Sequence, residues 1–343
     1  QLARFITSVL ASHGLPAADA ATVGRLMAQA EAQGSDGHGA IRLAPYVRRI
    51  REGGYNLTPD IRVTQERAAM ALLDGDNGFG HLVMEKAARM AIDKARHCGI
   101  AWVGSHHSNH AGPASLYARM ALEHDMLALY FAVGNANHLP PWGGLDMLLS
   151  TNPIAAAIPA GEEPPIVLDM ATTVAAYGKV KAKAQRGEQM PVGWMIDRQG
   201  QPLTDPTRSN EGFLMPIGGY KGYGLSLVVG LLAGTLNGAA MGSQVIDFNQ
   251  DYRSTTNTGQ AIAVIDPAAF GDVGEFKARV DQVIREMRGS ERMPGVDRIW
   301  LPGEQSHAKR EENERLGLAL PAALRQQLDA VAAEAGVPAL DQA

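Results

Sequence analysis

Both ends of this chain are patterned as helices and its middle as short strands, and that distribution limits what it can fold into. Leu2–Leu10 and Ala17–Ala32 carry apolar residues at helical spacing, with Pro16 at a helix start. After Leu301-Pro302-Gly303 the chain is again polar and helical, with an amphipathic stretch over Leu324–Ala333. Between them lie strand candidates at Ile61–Thr64, Met70–Leu73, Ile100–Val103, Met126–Val133, Ile154–Ile158, Ile166–Leu168 and Ala261–Ile265. The predicted intervening helices cover His81–His97, Pro113–Glu123, Val174–Arg186, Leu225–Leu236 and Phe276–Met287. This is an α/β (α+β) arrangement in which the two termini pack together around an inserted strand-bearing domain. The expected division is 1–65 with 290–343 as the helical part, and 66–289 as the α/β part. The only glycine run after a strand and before a helix, Gly75–Gly80 (GDNGFG), lacks a following acidic residue placed for a ribose, so no Rossmann fingerprint is present.

A net charge of −5 gives no reason to expect nucleic acid or an anionic membrane as a partner. The longest apolar stretch, Leu225–Leu236, falls short of the ~20 residues that span a bilayer. Cys98 is the only cysteine, which excludes an intrachain disulfide and suits a reducing, cytoplasmic setting. Nothing near Gln1 resembles a signal peptide.

Chemistry-bearing residues concentrate in four places. In Gly34–Tyr46 (GSDGHGAIRLAPY), glycines surround His38, and Arg42 and Tyr46 lead into a helix starting near Leu43 or Ala44. Free N–H groups at that helix start, with the planar fork of Arg42, would hold a carboxylate, and His38 titrates near neutral pH. The plainer alternative is an ordinary loop with a surface arginine. In SHHSNHAG, a histidine at the end of a strand could exchange a proton with a hydroxyl or carbonyl. His106, His107 and His110 could instead bind zinc, although HHxxH is not HExxH, or could simply be surface histidines in a capping loop. Asp169 follows an apolar strand in VLDMATT; it would pair with a histidine or act as a cap beside Thr172 and Thr173. Lys221, in GGYKGYG at a helix start, could join backbone N–H groups around a phosphate or be a solvated lysine in a connector.

These stretches together resemble the malate/L-lactate dehydrogenase family, the type unrelated to the Rossmann-fold lactate dehydrogenases. HGAIRLAPY, HSNHAG, TNPIAAAIP, VLDMATT, GWMIDRQGQPLTDP, GGYKGYG and LPGE occur in the family's order along almost the whole chain. The resemblance implies a helical substrate and dimerisation domain from both termini and an NAD(P)-binding domain on a largely antiparallel or mixed sheet. It also implies a homodimer with its active site near the interface. By motif, His38 matches a proton donor, His110 a proton acceptor, Asp169 a charge-relay aspartate, Arg42 a carboxylate-binding arginine and Tyr46 a substrate-pocket tyrosine. Leu168, Asp169, Met170, Ala171, Thr172, Thr173, Val174, Tyr220, Lys221, Pro302, Gly303 and Glu304 match segments that contact NAD or NADP. The implied activity is hydride transfer at C2 of a small 2-hydroxy or 2-oxo carboxylate without a catalytic metal. Reduction of a cyclic imino acid, or a non-catalytic binding role on the same fold, are the alternatives. Gly37 departs from the family, which usually has serine there; if that serine relays a proton in relatives, its loss favours His110 over His38 as the direct acid/base.

Overall fold

The computed structural model describes residues 1–343, apart from the side chain of Gln185. In α1 (Leu2–Ser12), Leu2, Phe5, Ile6, Val9 and Leu10 fall on one buried stripe. That stripe packs with α2 (Ala17–Ala32), α3 (Leu43–Arg51) and, from the other end of the chain, α10 (Ala322–Ala335). Gln1 Nε2 donates to Leu340 O at 2.8 Å, so the two termini meet as expected.

The strand-bearing part is a seven-stranded sheet. Its strands are β1 (Arg62–Arg67), β2 (Met70–Asp74), β3 (Ile100–Ser108), β4 (Leu127–Ala132), β7 (Ile154–Ile158), β8 (Ile166–Met170) and β11 (Thr258–Ile265). Their spatial order is β1-β2-β3-β11-β4-β7-β8, with every pair antiparallel except β2–β3. This is the mixed, non-Rossmann sheet that the resemblance implied. β1 crosses residue 65, the expected boundary between the two parts. Helix α4 (Gly80–Cys98) is the crossover joining the parallel pair and buries Val83, Met84, Ala87, Ala88, Ala91 and Ile92 against the sheet. On β4, Ala128 and Tyr130 join that core, whereas Phe131 packs with Val229 and Ala233 of α7 (Tyr220–Ala233) on the other face. α8 (Val273–Arg288) and α9 (Glu304–Leu316) lead to the C-terminal helix.

Some expected elements change. The helix over Pro113–Glu123 is a short α5 (Ser115–Ala118) continued by a 3₁₀ turn over Arg119–His124. α6 (Tyr177–Arg186) starts after Val174, which lies in a bend and donates its N–H to Met215 O. The ladders β5 (Asn137–Leu139) with β6 (Leu149–Ser150), and β9 (Met195–Asp197) with β10 (Gly212–Leu214), are too short to show a period in sequence. Among the described residues, no helix is long and apolar enough to cross a membrane.

Candidate active site

Two 3₁₀ turns, Asp36–His38 and Ala40–Arg42, carry the chain from α2 into α3. They are pinned by Glu31 of α2, whose buried carboxylate accepts the Ala40 N–H at 2.8 Å. Arg42 and Leu43 donate their N–H groups to Gly39 O and Ala40 O, and Pro45 has none. Of the N–H groups expected to be free at this helix start, those of Arg42 and Leu43 are therefore already bonded, because the 3₁₀ turn runs directly into the helix.

His110 follows β3 and is fixed in place by the start of α4. A Cβ at Gly80 would lie 2.1 Å from Asn109 O and 2.7 Å from His110 O, so only glycine permits this approach. His110 lies between His38 and Tyr46. Its Nε2 is 3.0 Å from His38 Nδ1, and its Nδ1 is 2.6 Å from the Tyr46 hydroxyl. The Gly112 N–H also points at His110 Nδ1, at 3.4 Å. An amide N–H can only donate, so Nδ1 is the acceptor and the ring proton of neutral His110 sits on Nε2. That proton is donated to His38 Nδ1, which leaves the proton of neutral His38 on its own Nε2. Both rings are neutral at pH 7. Desolvation, with the Arg42 charge adding to it, lowers His38 to about 3 and holds His110 well below its usual range. Burial raises the Tyr46 hydroxyl, which stays protonated and donates.

His38 is half-buried and His110 is 7% exposed. Tyr46 has no exposed surface, so it reaches a ligand only through His110 and does not line a pocket. Arg42 stands beside His38, with Nε on Gly37 O at 2.8 Å and Nη1 on Asn249 Oδ1 at 3.1 Å; Nη2 remains for a ligand. Asp169 does not pair with a histidine. Its Oδ2 accepts the Ser115 N–H at 2.8 Å, and Ser115 Oγ accepts Gln33 Nε2 at 3.1 Å, tying β8 to α5 and α2.

The three histidines of the HHxxH stretch do not converge. His106 and His107 lie on β3 and meet Asp74, while both nitrogens of His110 are occupied as described. The zinc site of three imidazoles is thereby ruled out. His81, on the first turn of α4, was not singled out from sequence because it reads as an ordinary helical residue. It is fully buried, 6.5 Å from the His110 ring, and neither of its ring nitrogens has a partner among the described residues. Burial lowers it to about 3.

The remaining matched segments lie along one edge of the sheet and on α7. Leu168–Met170 end β8, and Thr172 Oγ1 donates to Thr151 O at 2.9 Å. Gly218 and Gly219 take positive φ and feed α7, which starts without a side-chain cap and with Tyr220 and Lys221 exposed. Uncapped N–H groups beside an ammonium suit the phosphates of a dinucleotide. Pro302 O accepts the Val167 N–H at 3.0 Å, which continues the β8 edge. The buried Glu304 carboxylate is taken up by Arg288, Arg298 and the Leu301 N–H, so it holds the α9 start rather than facing a ligand.

A model of the malate/L-lactate dehydrogenase family matches residues 1–329. The chain is 37% identical to malate dehydrogenase of Pyrococcus abyssi, over 99% of this chain and 95% of that protein. It is 34% identical to L-sulfolactate dehydrogenase of Methanothermobacter thermautotrophicus, over 96% of this chain and 94% of that one. Among solved structures, sulfolactate dehydrogenase from Methanocaldococcus jannaschii superposes with a TM-score of 0.91 at 32% identity, covering 99% of this chain and 97% of that one. Likeness of this extent in both sequence and fold makes the chain a member of the malate/L-lactate dehydrogenase family and an oxidoreductase.

Proposed function

We propose that this enzyme interconverts a 2-hydroxy and a 2-oxo carboxylic acid with a nicotinamide cofactor, with His38 as the group that exchanges the substrate proton. The observation that carries this reading is the chain from Tyr46 through His110 to His38. Its only ring nitrogen without a partner among the described residues is His38 Nε2, beside Arg42. The cofactor, when bound, supplies the hydride chemistry at C4 of its nicotinamide. Arg42 Nη2 orients the carboxylate. In reduction a proton from solvent makes the His38 ring cationic and its Nε2–H passes to the C2 oxygen; in oxidation the ring, with its single proton on Nδ1 facing His110, accepts the hydroxyl proton at Nε2 and releases it to solvent. His110 acts as a positioning residue: it fixes the tautomer and plane of His38. Lys221, with the first N–H groups of α7, and the backbone of 168–174 and 302–303 hold the cofactor. The proposed chemistry invokes no metal, with the hydride carried by the cofactor and the proton by His38; full turnover is expected after exhaustive chelation.

We further propose a homodimer. Val228 and Leu231 of α7 stand 51% and 44% exposed with Leu225 and Leu236 near them, an apolar face on a helix that starts at the cofactor segment. The exposed lone Cys98 suits a reducing compartment. The test is a panel of malate, sulfolactate, lactate, the matching 2-oxo acids and cyclic imino acids with both NAD(H) and NADP(H), read at the nicotinamide absorbance. Turnover of a 2-hydroxy or 2-oxo acid that vanishes in His38→Asn is expected. Activity confined to imino acids, or binding without turnover, would overturn the reading.

A further inference from the structure

The ends of β2 and β3 hold a second constellation that the proposed chemistry does not use. In a regular strand, consecutive side chains point to opposite faces. At the end of β3 they do not. Ser105 stands opposite Gln260 and Ser108 opposite Thr258, so β3 carries one extra residue relative to β11 at His106–His107. His107 takes φ +46°, a left-handed conformation that is uncommon outside glycine, and its N–H is held by Asn257 Oδ1 at 2.7 Å. The bulge turns the two rings toward one another, with centroids 4.5 Å apart.

The two Nδ1 atoms are 3.1 Å apart, and His107 Nδ1 is 3.0 Å from Oδ1 of Asp74, which ends the neighbouring parallel strand. The two contacts compete for one ring position. His107 Nδ1 has one in-plane position, holding either a proton or a lone pair. If it donates to the carboxylate, it cannot accept from His106; if it accepts from His106, it faces the carboxylate with a lone pair. A cation in place of the shared proton removes the conflict, since the ligand atoms of Asp74, His106 and His107 all lie within 4.8 Å of one another. The spacing also fits. Bonds of about 2.0–2.1 Å in tetrahedral geometry place neighbouring ligand atoms roughly 3.3 Å apart. The remaining shell is built as well: Asp74 Oδ2 accepts from Arg62 at 3.0 Å and Oδ1 from the Asp76 N–H at 3.0 Å.

We propose that Asp74, His106 and His107 bind one divalent transition-metal ion, with water completing the coordination on the exposed side of His107. Imidazole with carboxylate selects zinc, cobalt or nickel over calcium or magnesium. The site is separate from the His38–His110 chain. Its role is structural: Gly75 N–H donates to His106 O and Asn77 N–H to His107 O, at 2.9 and 2.8 Å, so a bound ion would fasten the loop before α4 to the strand that delivers His110. The Arg62 guanidinium opposes the ion, so its removal strengthens binding.

The test uses untagged, chelator-treated full-length protein titrated with Co²⁺, followed by its visible absorption, with Zn²⁺ as competitor and the melting temperature as a second readout. One equivalent per chain is expected, with a rise in melting temperature. Binding should weaken by at least about tenfold in His107→Ala, a change at an exposed side chain, and in Asp74→Asn, and should tighten in Arg62→Gln. Binding should persist in His110→Gln. No saturable Co²⁺ binding by the wild-type protein, or equal binding by wild type, His107→Ala and Asp74→Asn, would overturn the proposal. So would binding lost in His110→Gln alone.

Discussion

At His38 the ring is half-buried and its Nδ1 is taken by His110, so it offers a ligand one nitrogen only. Replacing His38 by Asn removes that nitrogen, and turnover should fall by about 10²–10⁴-fold with little change in cofactor affinity. Both ring nitrogens of His110 are taken, by His38 and Tyr46, so His110→Asn should cost less in turnover and should displace the pH–rate profile. Steady-state kinetics across pH separate the two; a larger loss for His110 at every pH would exchange their roles. The sequence motif alone favoured His110, because Gly37 removes a serine that could serve a relay through His38. Instead, a direct ring-to-ring bond links the two histidines. Arg42 ties down the loop and, in the proposed reading, holds the ligand. Arg42→Lys loses the bonds to Gly37 O and Asn249 as well as the planar fork. We expect a loss of roughly 1.5–3 kcal/mol, about 10–150-fold in kcat/KM, on a 2-oxo acid. The loss should be smaller on the corresponding amide. Equal losses on acid and amide would mean that Arg42 supports the loop alone.

Among the elements, α4 is the one whose start sets the site. Gly80→Ala would drive a methyl into Asn109 O, so either the first turn of α4 or the 109–110 backbone must shift. Overpacking of this kind costs about 1–3 kcal/mol. Chemical denaturation should show that loss, and turnover should fall with it because His110 rides on the displaced backbone; unchanged stability and turnover would show that the contact relaxes freely. The helices at both ends and the longer strands were legible in the sequence because each carries its period over two or more turns or several alternations. Strands of two or three residues, such as β6 and β9, carry no period to read. The site was legible in part. His38, Arg42 and Tyr46 share one short stretch, whereas the His38–His110 bond spans 72 positions and follows only from the packing of helices on the sheet. His81 left no signal at all. The separation of His106 and His107 from His110 rests on a single-residue bulge, which a list of histidine spacings cannot show.

For the molecule as a whole, its buried neutral histidines govern how it responds to acid. His81 and His110 have folded-state pKa values below the ordinary value of about 6.5 that they regain on unfolding. Below that pH the unfolded chain binds protons that the folded chain refuses, so stability falls as pH falls, until the folded values are reached, near 3 for His81. Each such histidine adds roughly 1.4 kcal/mol of loss per pH unit. Urea unfolding at pH 7.5, 6 and 5 should show the decline. His81→Phe keeps an aromatic ring, removes two orphaned nitrogens and should flatten the slope by about one proton. A slope unchanged by that substitution would remove His81 from the account.

The order in which the strands occupy the sheet has a further consequence, for the chain as it is made. β11, which separates β3 from β4, is the last strand to be synthesised, and α10, which completes the core of the N-terminal helices, comes later still. Neither core is complete until these late segments have been made. A nascent chain of some 257 residues presents β3 and β4 as two open edges. Folding is thereby dominated by contacts of long sequence separation and is correspondingly slow. Fragments ending before Thr258 should be insoluble, whereas the full chain should refold with a lag that no early-folding subdomain shortens.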